Sequence, residues 1–354
     1  MLRVESIVAA IHEIPLREPF ATAQDRAPRT VARLVRLQVV LSDGRSVISE
    51  AVPAPYVTGE TCETLVQDIE AAAPHFIGLD GTRLRPMLAA AHYAVPAYHH
   101  TARAALEVAA YRTYSLATGA DLWRHFGGAL ESIDTDITIS RTADPVKAAE
   151  VAAHAGFRRV KVKAGDPPHQ EVERLAEMHA AAPSLTFRLD ANQAYTVQEA
   201  LDLATQIAAA QLPVEFLEQP VKWDDYDALA RVAEASPIPI VADEAVKTPE
   251  DALNLIATTR VHAINIKVMK SGVTGALGIL AIVQAAGRKA MIGCMLESSS
   301  GIGFSAALAC GTGAFTYVDL DSHLLLNEPQ DNPWFVQQGS TLVLAHTHRA
   351  GDGA

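Results

Sequence analysis

Hydrophobic and polar positions follow two regimes along this chain. From Arg3 to about residue 52 the pattern is strand-like. Residues 3–16 read as one strand, and VARLVRLQVV and RSVISEAV as two more, joined at Ser42-Asp43-Gly44, where Asp-Gly is a strong hairpin signal. Helical periodicity follows from Cys62 to Phe76, in a short piece at 82–91, and from Thr101 to Ala117, ahead of Gly119. Strands first and helices after predict an α+β domain over residues 1–125.

From Ile133 onward, short apolar runs alternate with helix-length segments. Strands are predicted near 134–139, 159–163, 186–190, 214–218, 239–243, 263–267, 290–294 and 315–319, with seven helix-length gaps between them. The runs are apolar except at their C-terminal ends, as in strands covered on both faces. Their ends recur about every 25 residues, the length of one β/α unit of a barrel. Thr142–Asp144 before Pro145 and Thr248 before Pro249 read as helix starts. A doubly wound sheet is the rival, but it wants a glycine-rich phosphate turn after its first strand, and DITISRTADP has no glycine. The expectation is an α/β fold: a (β/α)8-type barrel, modified to (β/α)7β, over 126–323, carrying an α+β capping domain over 1–125. Residues 324–354 are expected to return to the cap, with the last seven residues, from His348, frayed.

The length of 354 residues suits a barrel plus a smaller domain. A formal net charge of −12, with no Lys/Arg run, argues against a nucleic-acid partner. Cys62, Cys294 and Cys310 are widely spaced with no C-x-x-C, which argues against a disulfide framework or zinc site and fits a reducing cytoplasm. The N-terminal stretch with Arg3 and Glu5 does not read as a signal peptide, and no apolar run approaches 18 uninterrupted residues. A cytoplasmic protein with no membrane partner is expected; a homo-oligomer stays open.

The polar exceptions at the strand ends carry the candidate chemistry. Asp190 closes FRLD, Glu218 closes VEFLE and Asp243 closes PIVAD, at steps of 28 and 25 residues. Lys163 closes VKVK one unit earlier, and Lys267 closes INIK one unit later. Barrel active sites lie at the carboxyl ends of the strands. Any single acid there could simply cap the next helix. Three in consecutive units predict a site for a hard divalent cation, and all-oxygen ligation favours Mg²⁺ or Mn²⁺ over zinc. Asn192 could add or orient an oxygen, with Glu244 behind the set. Lys161 and Lys163 share a strand face, and one of the two faces of a barrel strand looks inward. A buried ammonium is costly unless it is paired or its pKa falls, and desolvation beside a metal would make it a usable base. Strands two and six are opposite in an eight-stranded barrel, so a substrate held between them shows one face to Lys163 and the other to Lys267. On strand eight, Asp319 and Asp321 share a face at the rim and form an acidic pair suited to a cation. Ser298–Ser300 lack a G-x-S-x-G elbow and there is no H-E-x-x-H. A lysine Schiff-base aldolase or a non-catalytic binding protein would be the readings from other classes.

KVK, LDAN, LEQP, ADE, INIKVMKSG and GCMLESSSG, in this order and spacing, resemble the enolase superfamily, muconate-lactonizing subgroup, over essentially the whole chain. The resemblance is strongest to dipeptide epimerases of the Ala-Glu type. It implies that Asp190, Glu218 and Asp243 bind Mg²⁺ (Mn²⁺ as the alternative), that Lys163 and Lys267 are the acid/base pair, and that Lys161 helps stabilise the substrate carboxylate as it becomes an enediolate. The Asp-x-Asp of Asp319 and Asp321 resembles the pair that holds the free α-ammonium of a dipeptide. Thr138 and Glu297 are assigned to substrate binding with them. The loop at about 19–33 would close over the substrate, with Arg26, or Arg29 and Arg33, able to pair with an acidic side chain. The implied reaction is Mg-dependent epimerisation of the C-terminal residue of dipeptides by two-base 1,1-proton transfer through a metal-stabilised enediolate. A muconate cycloisomerase, an o-succinylbenzoate synthase or an N-acylamino acid racemase is the alternative; none would need the Asp319/Asp321 pair.

Overall fold

The computed structural model describes residues 2–329 and 332–345; the frayed end expected from His348 lies outside the described residues. The chain opens with an antiparallel meander of β1 (Val4–Phe20), β2 (Arg29–Leu41) and β3 (Ser46–Ala51). The Asp-Gly turn joins β2 to β3 as expected, with Gly44 N donating to Leu41 O at 2.8 Å and Leu41 N to Arg45 O at 2.9 Å. Alternation along β2 buries Leu37, Val39 and Leu41 on one face. Against it pack α2 (Cys62–Phe76) and α4 (His100–Thr118), with α3 (Leu84–Ala94) lying on those two helices, after a single turn of helix, α1 (Pro55–Thr58). β1 runs past the predicted residue 16 because Phe20 pairs with Arg29 across a register shift. Only residues 21–28 of the cap loop are therefore outside strands.

The predicted strand 134–139 is divided. β4 (Ser132–Asp134) leaves the barrel, and β5 (Ile137–Ile139) opens it. The reason lies in the buried polar pair between them. Asp136 accepts Arg188 Nη1 at 2.8 Å, and Thr135 Oγ1 accepts Leu320 N at 2.7 Å, which ties the first barrel strand to the last. A parallel sheet then runs in chain order from β5 through β6 (Arg159–Lys163), β7 (Thr186–Asp190), β8 (Val214–Glu218), β9 (Ile240–Ala242), β10 (Ala263–Ile266) and β11 (Lys289–Ile292) to β12 (Tyr317–Val318). Asp136 N donates to Val318 O at 3.4 Å across the seam. Among the described residues the connecting helices are α5 (Pro145–His154), α6 (Pro168–Ala181), α7 (Val197–Ala209), α8 (Tyr226–Ala235), α9 (Pro249–Thr258), α10 (Val268–Ala285) and α11 (Ser299–Thr312). A short α12 (Ser322–Leu325) stands where an eighth full helix would, giving (β/α)7β. Asp144 and Thr248 cap α5 and α9 as their sequence context predicts.

α10 has the length and mean hydropathy, 18 residues at 1.5, of a membrane-crossing helix. Its position gives a different reason for that composition: it lies between the barrel and α4 of the cap. At Gly272, φ is 68° and the helix breaks; a Cβ there would stand 2.9 Å from Glu107 Oε2, and Glu107 accepts Thr274 N at 2.8 Å to start the helix again. Glu50 on β3 does the same for α11, accepting Ser298 N at 2.9 Å and Gly301 N at 3.1 Å. These two glutamates fix the cap to the barrel and so set the roof of the site. After α12 the chain touches the cap, Asn327 N donating to Pro15 O at 2.8 Å. It then forms a hairpin of β13 (Phe335–Gln338) and β14 (Thr341–Leu344), which pairs with β4 and not with the cap meander.

Candidate active site

The parallel register β6-β7-β8 places Lys163 beside Asp190 and Asp190 beside Glu218 at the carboxyl rim. Asp243 follows β9, and Lys267 lies at the junction of β10 and α10. All five are buried, with Lys161 beneath them. Carboxylate oxygens of Asp190, Glu218 and Asp243 lie within 4.8 Å of one another. Lys163 Nζ is 2.7 Å from Asp190 Oδ2, and Lys267 Nζ is 2.8 Å from Asp243 Oδ2. The two ammonium groups therefore reach the cluster from different strands, four positions apart in the eight-stranded sheet.

Each carboxylate has one oxygen held from behind and one turned to the centre. Asp190 Oδ1 accepts Asn192 N at 3.0 Å; Glu218 Oε1 accepts Asn265 Nδ2 at 2.7 Å; Asp243 Oδ1 accepts Lys270 Nζ at 2.6 Å. Gln219 Oε1 accepts Asp243 N at 2.9 Å and Ala245 N at 3.2 Å, pinning that turn. Of the inward oxygens, Glu218 Oε2 and Asp243 Oδ2 have no hydrogen bond and meet lysine only at ion-pair distance. Burial, with Asp190 and Asp243 alongside, pushes Glu218 up to about 8 against the pull of Lys161. A carboxylate this poorly compensated by the protein's own charges, among three that offer only oxygen, fits a hard divalent cation. Burial would likewise raise Asp190 and Asp243, but Lys161 and Lys163 hold the first, and Lys267 and Lys270 the second, well below the usual range. For the lysines burial alone would lower the pKa; Asp190 outweighs it at Lys163 and Asp243 at Lys267, so both are raised. These directions belong to lysines whose partners are the carboxylates alone; a divalent cation on the same carboxylates would weaken that hold and leave desolvation to lower them.

Lys267 reaches Asp243 because residue 293 is glycine: a Cβ there would lie 3.0 Å from Lys267 Cε and 2.6 Å from Asn265 Oδ1. Asn265, Lys270 and Gln219 were not singled out as candidates in the sequence. Signals existed for two of them. Asn265 shares a strand face with Lys267, and Lys270 is a lone charge in an otherwise apolar helix.

Above the cluster is a cavity of about 380 Å³, lined by Thr138, Lys163, Lys267, Asp319 and Asp321 from the barrel and by Phe20, Arg29, Val31, Ala54 and Tyr56 from the cap, among others. Lys161 Nζ donates to Asp319 Oδ2 at 2.8 Å, and Asp321 Oδ2 accepts Thr138 N. Burial and then Asp319 push Asp321 up to about 6. Three of the substrate-binding candidates lie outside the lining, Lys161 because it is buried beneath the cluster. Glu297 is buried outside the cavity lining, its Oε1 turned back to accept Met295 N at 3.0 Å; Met295 and Leu296 face the cavity in its place. Arg26 is exposed and outside the lining, because the loop turns on Asp25, whose Oδ2 accepts Thr22 N at 2.9 Å. Arg29 and Arg33 do line the cavity, but Arg29 is paired with Asp25 at 2.7 Å, and Arg33 with Glu13 at 3.0 Å and Glu63 at 3.1 Å.

This arrangement has counterparts. The family described as Enolase C-terminal domain-like matches residues 144–347. The aromatic dipeptide epimerase of Herpetosiphon aurantiacus is 36% identical over 99% of this chain and 98% of its own. The substrate-liganded L-Ala-D/L-Glu epimerase of Bacillus subtilis superposes with a TM-score of 0.91 at 30% identity, covering 97% of this chain and 96% of that one. A dipeptide epimerase of Enterococcus faecalis, solved with Mg and the dipeptide L-Leu-L-Tyr, gives 0.89 at 29% identity, with 97% of each chain covered. With its barrel, its cap and its lysine–carboxylate rim accounted for together, this chain belongs to the enolase superfamily, in the muconate-lactonizing subgroup alongside the dipeptide epimerases.

Proposed function

We propose that this protein is a Mg²⁺-dependent dipeptide epimerase that inverts the α-carbon of the C-terminal residue. The observation that carries the reading is one cavity holding Lys163 and Lys267 about a three-carboxylate cluster, with Asp319 and Asp321 on the same rim. The relatives named for dipeptide epimerisation, and the neighbour holding Mg with a dipeptide, support it. Asp190, Glu218 and Asp243 would hold the Mg²⁺, which would supply Lewis acidity toward the substrate carboxylate and positive charge to offset what the departing α-proton leaves. Asp319 and Asp321 anchor the substrate's α-ammonium, and Lys161 donates toward its carboxylate. Lys163 or Lys267, whichever is neutral, takes the α-proton from one face; the other, charged, returns a proton to the opposite face. Reactions on substrates without an ammonium leave Asp321, a buried acid facing the cavity with no ammonium at ion-pair distance among the described residues, unemployed, which is why cycloisomerisation is the poorer reading.

The cap sets the side-chain class. Its arginines in the lining are already neutralised by Asp25, Glu13 and Glu63, while Phe20, Val31, Ala54, Met295 and Leu296 present apolar surface. An acidic side chain finds no free cation there; an apolar one finds a wall. All three cysteines are free, which suits a reducing compartment such as the cytoplasm. Incubating a panel of L,L-dipeptides with enzyme and Mg²⁺ in D₂O, read by mass spectrometry, tests the proposal. Deuterium enters the C-terminal α-carbon, faster for apolar than for glutamyl C-terminal residues. No incorporation from any member of the panel refutes it.

A further inference from the structure

Asp319 and Asp321 look equivalent from the cavity and are not equivalent behind it. Asp319 Oδ2 accepts Lys161 Nζ at 2.8 Å, and that same Nζ lies 2.9 Å from Glu218 Oε2 and 3.2 Å from Asp190 Oδ2. Lys161 is thus the hub between the three-carboxylate cluster and the acid pair. Asp321 instead accepts a backbone N–H from Thr138, and among the described residues no ammonium lies within ion-pair distance of it. Lys161 itself is completely buried and does not line the cavity, so any movement it makes is from one buried acceptor to another.

We propose that Asp319 is a positioning residue for Lys161 and that the substrate's own α-ammonium works the release. This rests on the epimerase reading of the same cavity. Before substrate arrives, Asp319 shares Lys161 Nζ with Glu218 and Asp190, at 2.8, 2.9 and 3.2 Å. An α-ammonium docking on Asp319 competes with Lys161 for one carboxylate, and two ammonium groups on the same few oxygens repel each other strongly in a dry site. Lys161 gives way toward the remaining negative charge, which now includes the substrate carboxylate lying by Asp190 and Glu218. Binding energy from the far end of the substrate is in this way spent at the reacting end, and a substrate that lacks it loses turnover as well as affinity. Asp321, with no hold on Lys161, contributes chiefly affinity.

The test compares a dipeptide that the wild-type enzyme exchanges in D₂O with its N-acetyl derivative, on wild-type, Asp319→Asn and Asp321→Asn enzymes. On the wild type, acetylation lowers kcat at least tenfold besides raising KM. On Asp319→Asn, where Lys161 is no longer held, kcat/KM for the N-acetyl dipeptide is at least tenfold above that of Asp321→Asn. Asp321→Asn raises KM for the free dipeptide by a larger factor than it lowers kcat. The inference is overturned if acetylation changes only KM on the wild type, or if the two variants behave alike on the N-acetyl substrate. The wild-type arm needs no variant to fold. Absence of exchange with the free dipeptide on the wild type is a different result and sinks the epimerase reading itself.

Discussion

The barrel buries charge at both ends of its strands, and the two clusters are built to opposite rules. On the floor, Arg188 of β7 donates to Glu215 Oε2 at 2.6 Å, Asp136 Oδ2 at 2.8 Å and Val318 O at 2.8 Å, and its guanidinium sits 5.5 Å from the Phe216 ring. One rigid fork is consumed by two acids and a carbonyl, and the result ties β5, β7, β8 and β12 together. Two residues further along β7, Asp190 belongs to the rim. There each carboxylate is held by one oxygen only, and the inward oxygens meet flexible lysine ends. Arginine's fixed geometry suits the joint, and lysine's single, movable, titratable ammonium suits proton transfer. Conserving energy in place is the business of the floor; the rim keeps its charges available.

The sharpest way to break this contrast is to remove one charge from each cluster. Lys267→Met lowers deuterium exchange by roughly 10²–10⁴-fold while the circular-dichroism melt stays cooperative. Arg188→Met leaves Asp136 unpaired at the floor, while Glu215 keeps Arg159 at 3.1 Å, and it destabilises the fold by about 3–5 kcal/mol in urea titration, with kcat of the folded fraction within a few-fold. If Arg188→Met lost turnover at unchanged stability, the division between floor and rim would be wrong.

Two smaller effects sharpen it. Asp321 is held up to about 6 in the free protein, above its ordinary 3.8, so it gains its proton as pH falls through about 6. The protonated form cannot anchor an ammonium, so kcat/KM for a dipeptide falls by about tenfold per unit below that point in a pH profile. Glu297, outside both clusters, is pushed up to about 8 by burial and then by Glu50, against an ordinary 4.5. The folded state binds that proton more tightly than the unfolded chain, so the group's contribution to stability falls as pH rises from about 4.5 to 8. Glu297→Gln removes the penalty. Its Tm exceeds that of the wild type at pH 8 and matches it at pH 4, by a few degrees at most, since about 1 kcal/mol moves a chain of this size by roughly 2 °C.

Much of this was legible in the residues. The apolar runs and their spacing determined the barrel, because a strand covered on both faces can be polar only where it emerges. Asp190, Glu218, Asp243, Lys163 and Lys267 were readable for the same reason: each is the polar end of an apolar strand. Lys270 and Asn265 showed a signal in the chain but not a role, since whether a buried polar residue serves the site or the core depends on which carboxylate oxygen it meets. The division at Thr135 and Asp136 was hidden too, for it is made by Arg188, 52 residues downstream of Asp136.

The sequence by itself determined the order of strands and which strand ends carry charge, since local periodicity and spacing are properties of the chain. Only the tertiary structure decided that Glu297 turns away from the cavity, that Arg29 and Arg33 are already neutralised, and that Asp319 but not its twin grips Lys161. Those outcomes are contacts between residues far apart in the chain, and no local pattern encodes who meets whom.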